Sequence, residues 1–86
     1  MNRLKQGKKV VGLKQSKKAI TADKAKIVYL AEDADLWVAE PFLELCREHN
    51  IRPVMVPEKK ELQKACGVEV PTACAVLLKE DANGNS

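Results

Sequence analysis

The sequence is poor in aromatic residues and has no long apolar run, and each shortage excludes a class of protein. Aromatic residues make up only 3% of the 86 positions while hydrophobic residues make up 45%, so the core must consist of Val, Ile, Leu and Ala. No apolar run approaches the roughly 20 residues of a membrane span, and residues 1–9 are too polar for a secretory signal. We therefore expect a small cytoplasmic protein with one domain and no membrane partner.

Cysteine and histidine are also scarce. Cys46, Cys66 and Cys74 are odd in number and lack C-x-x-C spacing, so they indicate neither a disulfide framework nor a zinc site, and we predict that all three are buried. His49 is the only histidine and has no evident catalytic partner, so we interpret it as a surface residue at a helix end. We expect no cofactor, no metal site and no enzymatic activity.

Charge is segregated along the chain, although the net charge of +3 is modest. Residues 1–26 contain nine Lys or Arg and a single acid, Asp23, whereas residues 27–86 contain six cations and eleven acids. The amino-terminal third is therefore strongly basic, which is typical of a surface that meets an anionic partner.

Hydrophobic periodicity predicts helices alternating with strands. The strands are "KKVVGL", "AKIVYLAE", "IRPVMVP" and "CAVLLK"; the helices are "NRLKQGKK", "QSKKAITADK", "DADLWVAEPFLELCREHN" and "EKKELQKACG". The apolar run 27–31 predicts a central strand, and Pro53 and Pro57 place the third strand at an edge. Alternation favours a three-layer α/β/α sandwich around a four-stranded mixed sheet, formed by residues 1–80 and followed by a polar tail, 81–86.

Individual residues also predict where the second and third helices begin and how the third is shaped. Gln15 or Ser16 should lie near the start of the second helix, and Asp33 or Asp35 should cap the third. Because proline deletes a backbone hydrogen bond, the third helix should either start late or kink at Pro41. Trp37 could sit in the core or beneath a neighbouring loop.

The junction "VVGLKQSKKAI" brings many cations to one strand-to-helix turn. A helix start presents free N–H groups and a positive dipole, and Gly12 allows a ligand to approach the backbone closely. The segment lacks the G-x-G-x-x-G and Walker patterns of nucleotide sites. A solvated lysine-rich helix face is the alternative, but further cations precede the junction and Gln15 can pair with a base edge. We therefore favour structured RNA as the ligand; the cations of this region are Lys5, Lys8, Lys9, Lys14, Lys17 and Lys18.

The stretches "VVGLKQSKKAI", "AKIVYLAEDAD", "LCREHNI" and "VPEKKELQKACGVEV" closely resemble the kink-turn-binding ribosomal proteins of the L7Ae and L30e type, above all their small bacterial members. The resemblance covers roughly residues 3–79. It implies an α/β/α sandwich that binds kink-turns, which are sharply bent RNA elements containing tandem sheared G·A pairs.

The resemblance also implies roles for individual residues. Gly12 would permit close approach, Lys14 and Gln15 would reach the guanine edges, and Lys18 would contact guanine or phosphate. In the loop "GVEVPTA", Val68 and Val70, with Glu69 between them, would shelter an extruded nucleotide. The resemblance also assigns Lys59 to a phosphate and places Asp35 near the extruded nucleotide. Lys9 and Lys17 complete the predicted RNA-binding set as cations of the basic junction.

Two departures from the family pattern affect these expectations. Lys14 and Gln15 stand where archaeal and eukaryotic members have Asn-Glu, and Gln63 follows Leu62 where the family has glycine. We expect a monomer that binds a kink-turn in ribosomal or regulatory RNA, with the ribosome as a partner. The alternative is a protein-interaction module on the same fold, which would use the acidic face around Glu40, Glu44 and Glu48.

Overall fold

The computed structural model describes residues 8–79, which form four strands and three helices. In chain order these are β1 (Lys9–Val11), α1 (Leu13–Thr21), β2 (Ala25–Ala31), α2 (Leu36–Glu48), β3 (Val54–Val56), α3 (Lys59–Cys66) and β4 (Cys74–Leu78). The helix predicted from "NRLKQGKK" lies largely outside the described residues, and the predicted tail 81–86 lies wholly outside them.

The strands form one mixed sheet in the order β1-β4-β2-β3. β2 and β3 are parallel, whereas β4 is antiparallel to both of its neighbours, β1 and β2. The prediction that the apolar run 27–31 forms a central strand is confirmed. β3 is an edge strand of three residues between Pro53 and Pro57, as expected, because proline cannot donate a ladder hydrogen bond.

Two hydrophobic clusters cover the two faces of the sheet. One face packs against α1 and α2 through a cluster that includes Ile20, Leu30, Phe42 and Val76. The other packs against α3 through a cluster that includes Tyr29, Val56, Leu62, Ala75 and Leu77. Neighbouring residues of β2 and β4 belong to opposite clusters because strand side chains alternate between faces. The predicted three-layer α/β/α architecture is confirmed.

The starts of α1 and α2 lie close to the predicted positions. α1 begins at Leu13, two residues before the predicted segment, so Gln15 and Ser16 lie near its start as expected, although Ser16 is completely buried and caps nothing. Asp35 occupies the N-cap position of α2, and the helix runs from Leu36 through Pro41, which excludes the late start. Pro41 is exposed, and water can therefore serve the Trp37 carbonyl that loses its intrahelical donor.

All three helices end with the same pair of backbone hydrogen bonds. After α1, Asp23 N donates to Ile20 O, and Lys24 N donates to Ala19 O. After α2, Asn50 N donates to Arg47 O, and Ile51 N donates to Cys46 O. After α3, Gly67 N donates to Lys64 O, and Val68 N donates to Gln63 O. This is the Schellman arrangement, which requires a left-handed residue just past the helix. Asp23, Asn50 and Gly67 have φ of 59°, 57° and 71°. The predicted stop at Gly67 is confirmed, as is the exposed position of His49 at the end of α2.

We predict that Asn50→Ala lowers the free energy of unfolding by about 1 kcal/mol, because a left-handed backbone is unfavourable for residues with an ordinary Cβ. Asn50→Gly is the matched control and should match or exceed the parent protein. Urea denaturation of the three proteins tests this. Equal stability of the Ala and Gly variants would show that the left-handed turn imposes no cost.

The three cysteines are buried, as predicted, and burial raises the pKa of each thiol. The effect is largest for Cys74, whose pKa rises to about 11; the Ser16 hydroxyl opposes the rise and the nearby Cys46 adds to it. The Ser16 oxygen makes no hydrogen bond of normal geometry, so its contact with this sulfur is weak. Within residues 8–79 the thiols therefore belong to the core.

The Cys74 pKa makes stability depend on alkaline pH. Because its pKa is raised from 9.0 to about 11 in the folded state, the buried thiol stabilises the protein fully below pH 9 and loses that contribution as pH rises to 11. The loss should be about 2–3 kcal/mol. Cys74→Ala lacks this titration, so the stability advantage of the parent over the variant should shrink between pH 8 and pH 11. A constant difference would contradict the assignment.

Candidate nucleic-acid interface

The starts of all three described helices meet at one edge of the sheet. Gly12 N donates to Cys74 O at 3.0 Å and Ala31 N to Ala73 O at 2.7 Å, which ties the ends of β1 and β2 to the start of β4. Glu32 N donates to Val56 O at 2.7 Å, which joins the end of β3 to the end of β2. Since each helix follows one of these strand ends, three positive dipole ends lie along this edge.

Gly12 makes the turn from β1 into α1. Its φ of 99° and ψ of 160° lie in a region that is essentially restricted to glycine, and a Cβ at this position would meet no atom of the described chain within 4 Å. The backbone at this point is therefore open to a ligand. The first helical bond runs from Ser16 N to Gly12 O at 3.0 Å, and no side chain within residues 8–79 caps the N–H groups that precede it.

The outer face of α1 is basic. Lys14, Lys17 and Lys18 are all exposed, and together with Leu13, Thr21 and Ala22 they line a groove of about 600 Å³. Gln15 is also exposed but lies outside the lining of this groove. The first turn contains no acid, so nothing within the helix neutralises these cations near its start.

A single carbonyl joins the Gly12 turn to loop 67–73. Cys74 O accepts a hydrogen bond from Gly12 N at 3.0 Å and another from the Thr72 hydroxyl at 2.9 Å. Thr72 is only 7% exposed, so this bond is shielded from competing water. The loop that contains Val68, Glu69 and Val70 is thereby anchored beside the start of α1.

The side chains of loop 67–73 divide between core and surface. Val68 is half-buried and packs against the α3-side cluster, whereas Val70 is 68% exposed and Glu69 is exposed. Val70 and the neighbouring Pro71, which is also exposed, therefore present apolar surface to solvent. α3 runs unbroken through Gln63, so the departure from the family pattern at this position leaves the helix and its glycine turn intact.

A second set of predicted residues lies where α2 and α3 begin. Asp33 Oδ1 accepts a hydrogen bond from Lys59 N at 2.9 Å and so caps α3 from another segment. Asp35 is the exposed N-terminal boundary residue of α2, and its side chain makes no capping bond. The Lys59 side chain belongs to the first turn of α3 and is half-buried.

Lys9 is separated from the predicted cations of α1 by the sheet. It pairs with Leu77, which belongs to the α3-side cluster, and its charge acts on the Cys66 thiol of α3. Because α1 covers the opposite face, Lys9 does not extend the basic face of that helix.

The family model for the "Ribosomal protein L7Ae/L30e/S12e/Gadd45 family" matches residues 1–85, which is nearly the whole chain. The chain belongs to this family. The resemblance seen in the sequence is thus confirmed.

Within residues 8–79 no group of three or more His, Cys, Asp or Glu is placed to hold a metal ion, and no helix is long and apolar enough to cross a membrane.

Several proteins resemble this chain over most of their length. A protein of Geobacillus sp. (strain WCH70) described as an RNA-binding protein is 37% identical over 76 residues, which are 88% of this chain and 93% of the relative. A second RNA-binding protein, from Caldanaerobacter subterraneus subsp. tengcongensis, is 41% identical over 68 residues, or 79% and 83% of the two chains. The solved "Giardia lamblia 15.5kD RNA binding protein" is 30% identical, with a TM-score of 0.79 over 98% of this chain and 70% of its own.

Sequence reasoning missed two residues that organise this L7Ae-family site. Asp33 was considered only as a cap for its own helix, whereas it caps α3 across 26 positions of sequence. Thr72 looked like an ordinary loop residue, although a buried hydroxyl ahead of a strand is a signal for local bonding to the backbone. The Asp33 contact depends on the way the strands are paired, whereas the Thr72 contact joins residues only two positions apart.

We predict that Thr72→Val lowers the free energy of unfolding by about 1 kcal/mol, because it removes one buried hydrogen bond at nearly constant volume. Amide hydrogen exchange at residues 68–71 should become faster, since the loop loses its anchor to Cys74. Thr21→Val, at an exposed helical position, is the control and should change neither quantity. Unaltered exchange in Thr72→Val would mean that the loop is held by other contacts.

Proposed function

We propose that this chain is a non-enzymatic RNA-binding protein that recognises and stabilises kink-turns with tandem sheared G·A pairs. The observation that carries the proposal is the uncapped start of α1, which is entered through Gly12 and presents Lys14 and Gln15 to solvent. The two relatives described as RNA-binding proteins support it. The proposed setting is a monomer in the cytoplasm that consists of one domain, residues 1–80, and acts on ribosomal or regulatory RNA with the ribosome as a partner.

The start of α1 and the lysines around it can hold phosphate in two ways. Free N–H groups at a helix start donate to phosphate oxygens, and Gly12 leaves room for the RNA backbone to come close. Lys17 and Lys18 add charge along the same helix, and Lys59 does so where α3 begins. Contacts of this kind supply affinity that falls steeply with salt but carries no sequence information.

Selection would come from side chains that reach base edges. Lysine donates to guanine O6 and N7, while the Gln15 amide both donates and accepts. The major groove of regular A-form RNA is too deep and narrow for such contacts, so a helix start can read bases only where the duplex is bent open. This requirement favours a kinked target over a regular duplex.

The anchored loop offers a place for a base that leaves the stack. Val70 presents an exposed apolar surface, and the Asp35 carboxylate is available to accept a hydrogen bond from a base N–H. Val68 supports the loop from the core side, and Glu69 lies between the two valines. An RNA can contact the start of α1 and this loop at the same time only when it is kinked. Binding therefore stabilises the kinked conformer over the extended one and shifts the RNA population toward it.

We predict that Lys14→Ala weakens binding to a kink-turn duplex by about 1–3 kcal/mol, the usual cost of a lost base contact, and weakens binding to a regular duplex much less. Titration of both RNAs, with bending followed by fluorescence transfer between the duplex ends, measures affinity and conformation together. Lys26→Ala is the matched control. It removes an exposed lysine near the start of β2, at the opposite end of that strand from the site, and should leave selectivity unchanged.

Two results would contradict this proposal. Equal affinity for the kink-turn and for a duplex in which Watson–Crick pairs replace the G·A pairs would show that the lysines of α1 bind RNA through charge alone. Equal losses in Lys14→Ala and Lys26→Ala on both RNAs would remove the base-reading role from Lys14.

A further inference from the structure

The start of α2 exposes two large apolar side chains that the RNA site does not use. Leu36 is 73% exposed and Trp37 is 75% exposed, and Trp37 is the only tryptophan in the sequence. Trp37 therefore lies neither in the core nor beneath a loop, the two positions that the sequence suggested. Exposed tryptophan is uncommon on free surfaces and enriched where proteins meet.

Helical spacing places Trp37 on the side of α2 that faces away from the sheet. The core side is marked by Phe42 and Cys46, which are 0% and 1% exposed. Residues three, four, seven and eleven positions after Trp37 share its side of the helix. These four residues, all exposed, are Glu40, Pro41, Glu44 and Glu48, and together with Trp37 they constitute the outer face of α2.

This outer face is acidic as well as aromatic. Between positions 32 and 48 there are six acids and one cation, Arg47, which lies 3.0 Å from Glu44 in an exposed ion pair. An aromatic platform for single-stranded nucleic acid normally sits in a positive groove that follows the phosphates. The charge around Trp37 has the opposite sign and would repel them.

We propose that the outer face of α2 is a docking site for a protein segment rich in lysine and arginine. The Trp37 indole can cover one cationic side chain through a cation–π contact and also bury apolar surface, which is how tryptophan anchors interfaces. Glu40 and Glu48 have no ion pair within residues 8–79 and remain available to partner cations. Charge complementarity therefore selects a basic protein over RNA at this surface.

The proposed docking surface runs along the outer side of α2, away from α1, and adjoins the proposed RNA site only at Asp35. α1 and α2 pack side by side on the same face of the sheet, with the lysines on the outer side of α1 and the glutamates on the outer side of α2. The chain can therefore hold an RNA and a basic protein at once. The inference does not depend on kink-turn recognition.

The single tryptophan makes the test specific, because its emission reports on this face alone. The probe is a short amphipathic helical peptide whose charged residues are all Arg and Lys, and a peptide with Glu in their place is the control. We expect a saturable shift of Trp37 emission with the basic peptide only. The double variant Glu40→Lys/Glu44→Lys should weaken binding at least about tenfold, because it places like charges opposite the peptide. Calorimetry with Trp37→Ala should show a similar loss.

The companion measurements separate the two surfaces. Lys14→Ala should bind the peptide as the parent protein does, and kink-turn RNA should not displace the bound peptide. An emission response to RNA but not to the basic peptide would overturn the proposal and assign Trp37 to RNA stacking. Absence of peptide binding, or binding indifferent to the Glu40→Lys/Glu44→Lys change, would also overturn it.

Discussion

The carbonyl of Cys74 is the contact on which the geometry of the candidate site depends. One oxygen accepts from the Gly12 N–H and from the Thr72 hydroxyl, and so it joins the start of α1 to loop 67–73. Cys74 itself is completely buried at the beginning of a central strand. Two surface segments that are distant in sequence therefore share one rigid anchor, which is the condition for them to grip a ligand together.

The layered fold converts a charge gradient along the chain into two adjacent surfaces. Parallel strands β1 and β2, with β4 between them, are each followed by a helix that returns over the same face of the sheet. This places the lysines of α1 beside the glutamates of α2 in one layer. The proposed RNA site and the proposed docking surface for a basic protein thus lie on neighbouring helices.

Local features were the most predictable. The apolar run of β2, the prolines beside β3 and the glycine after α3 each act through nearby backbone or through burial on both faces, so they can be recognised in a short window. The start of α1 was predicted two residues late, at Gln15 instead of Leu13, because a local pattern does not fix the last residue of a strand or the first of the helix that follows it. The path of α2 through Pro41 depends on exposure, which a local pattern does not reveal.

The candidate site shows the same division. The sequence by itself determined the alternation of helices and strands, the three-layer architecture, the family and the basic turn around Gly12, because these depend on residue order and composition. Only the tertiary structure decided that Asp33 caps α3, that Thr72 anchors its loop, that Lys9 lies across the sheet from α1 and that Trp37 faces solvent. The physical reason is that strand pairing brings distant segments together, and packing then decides which side of each element remains in water.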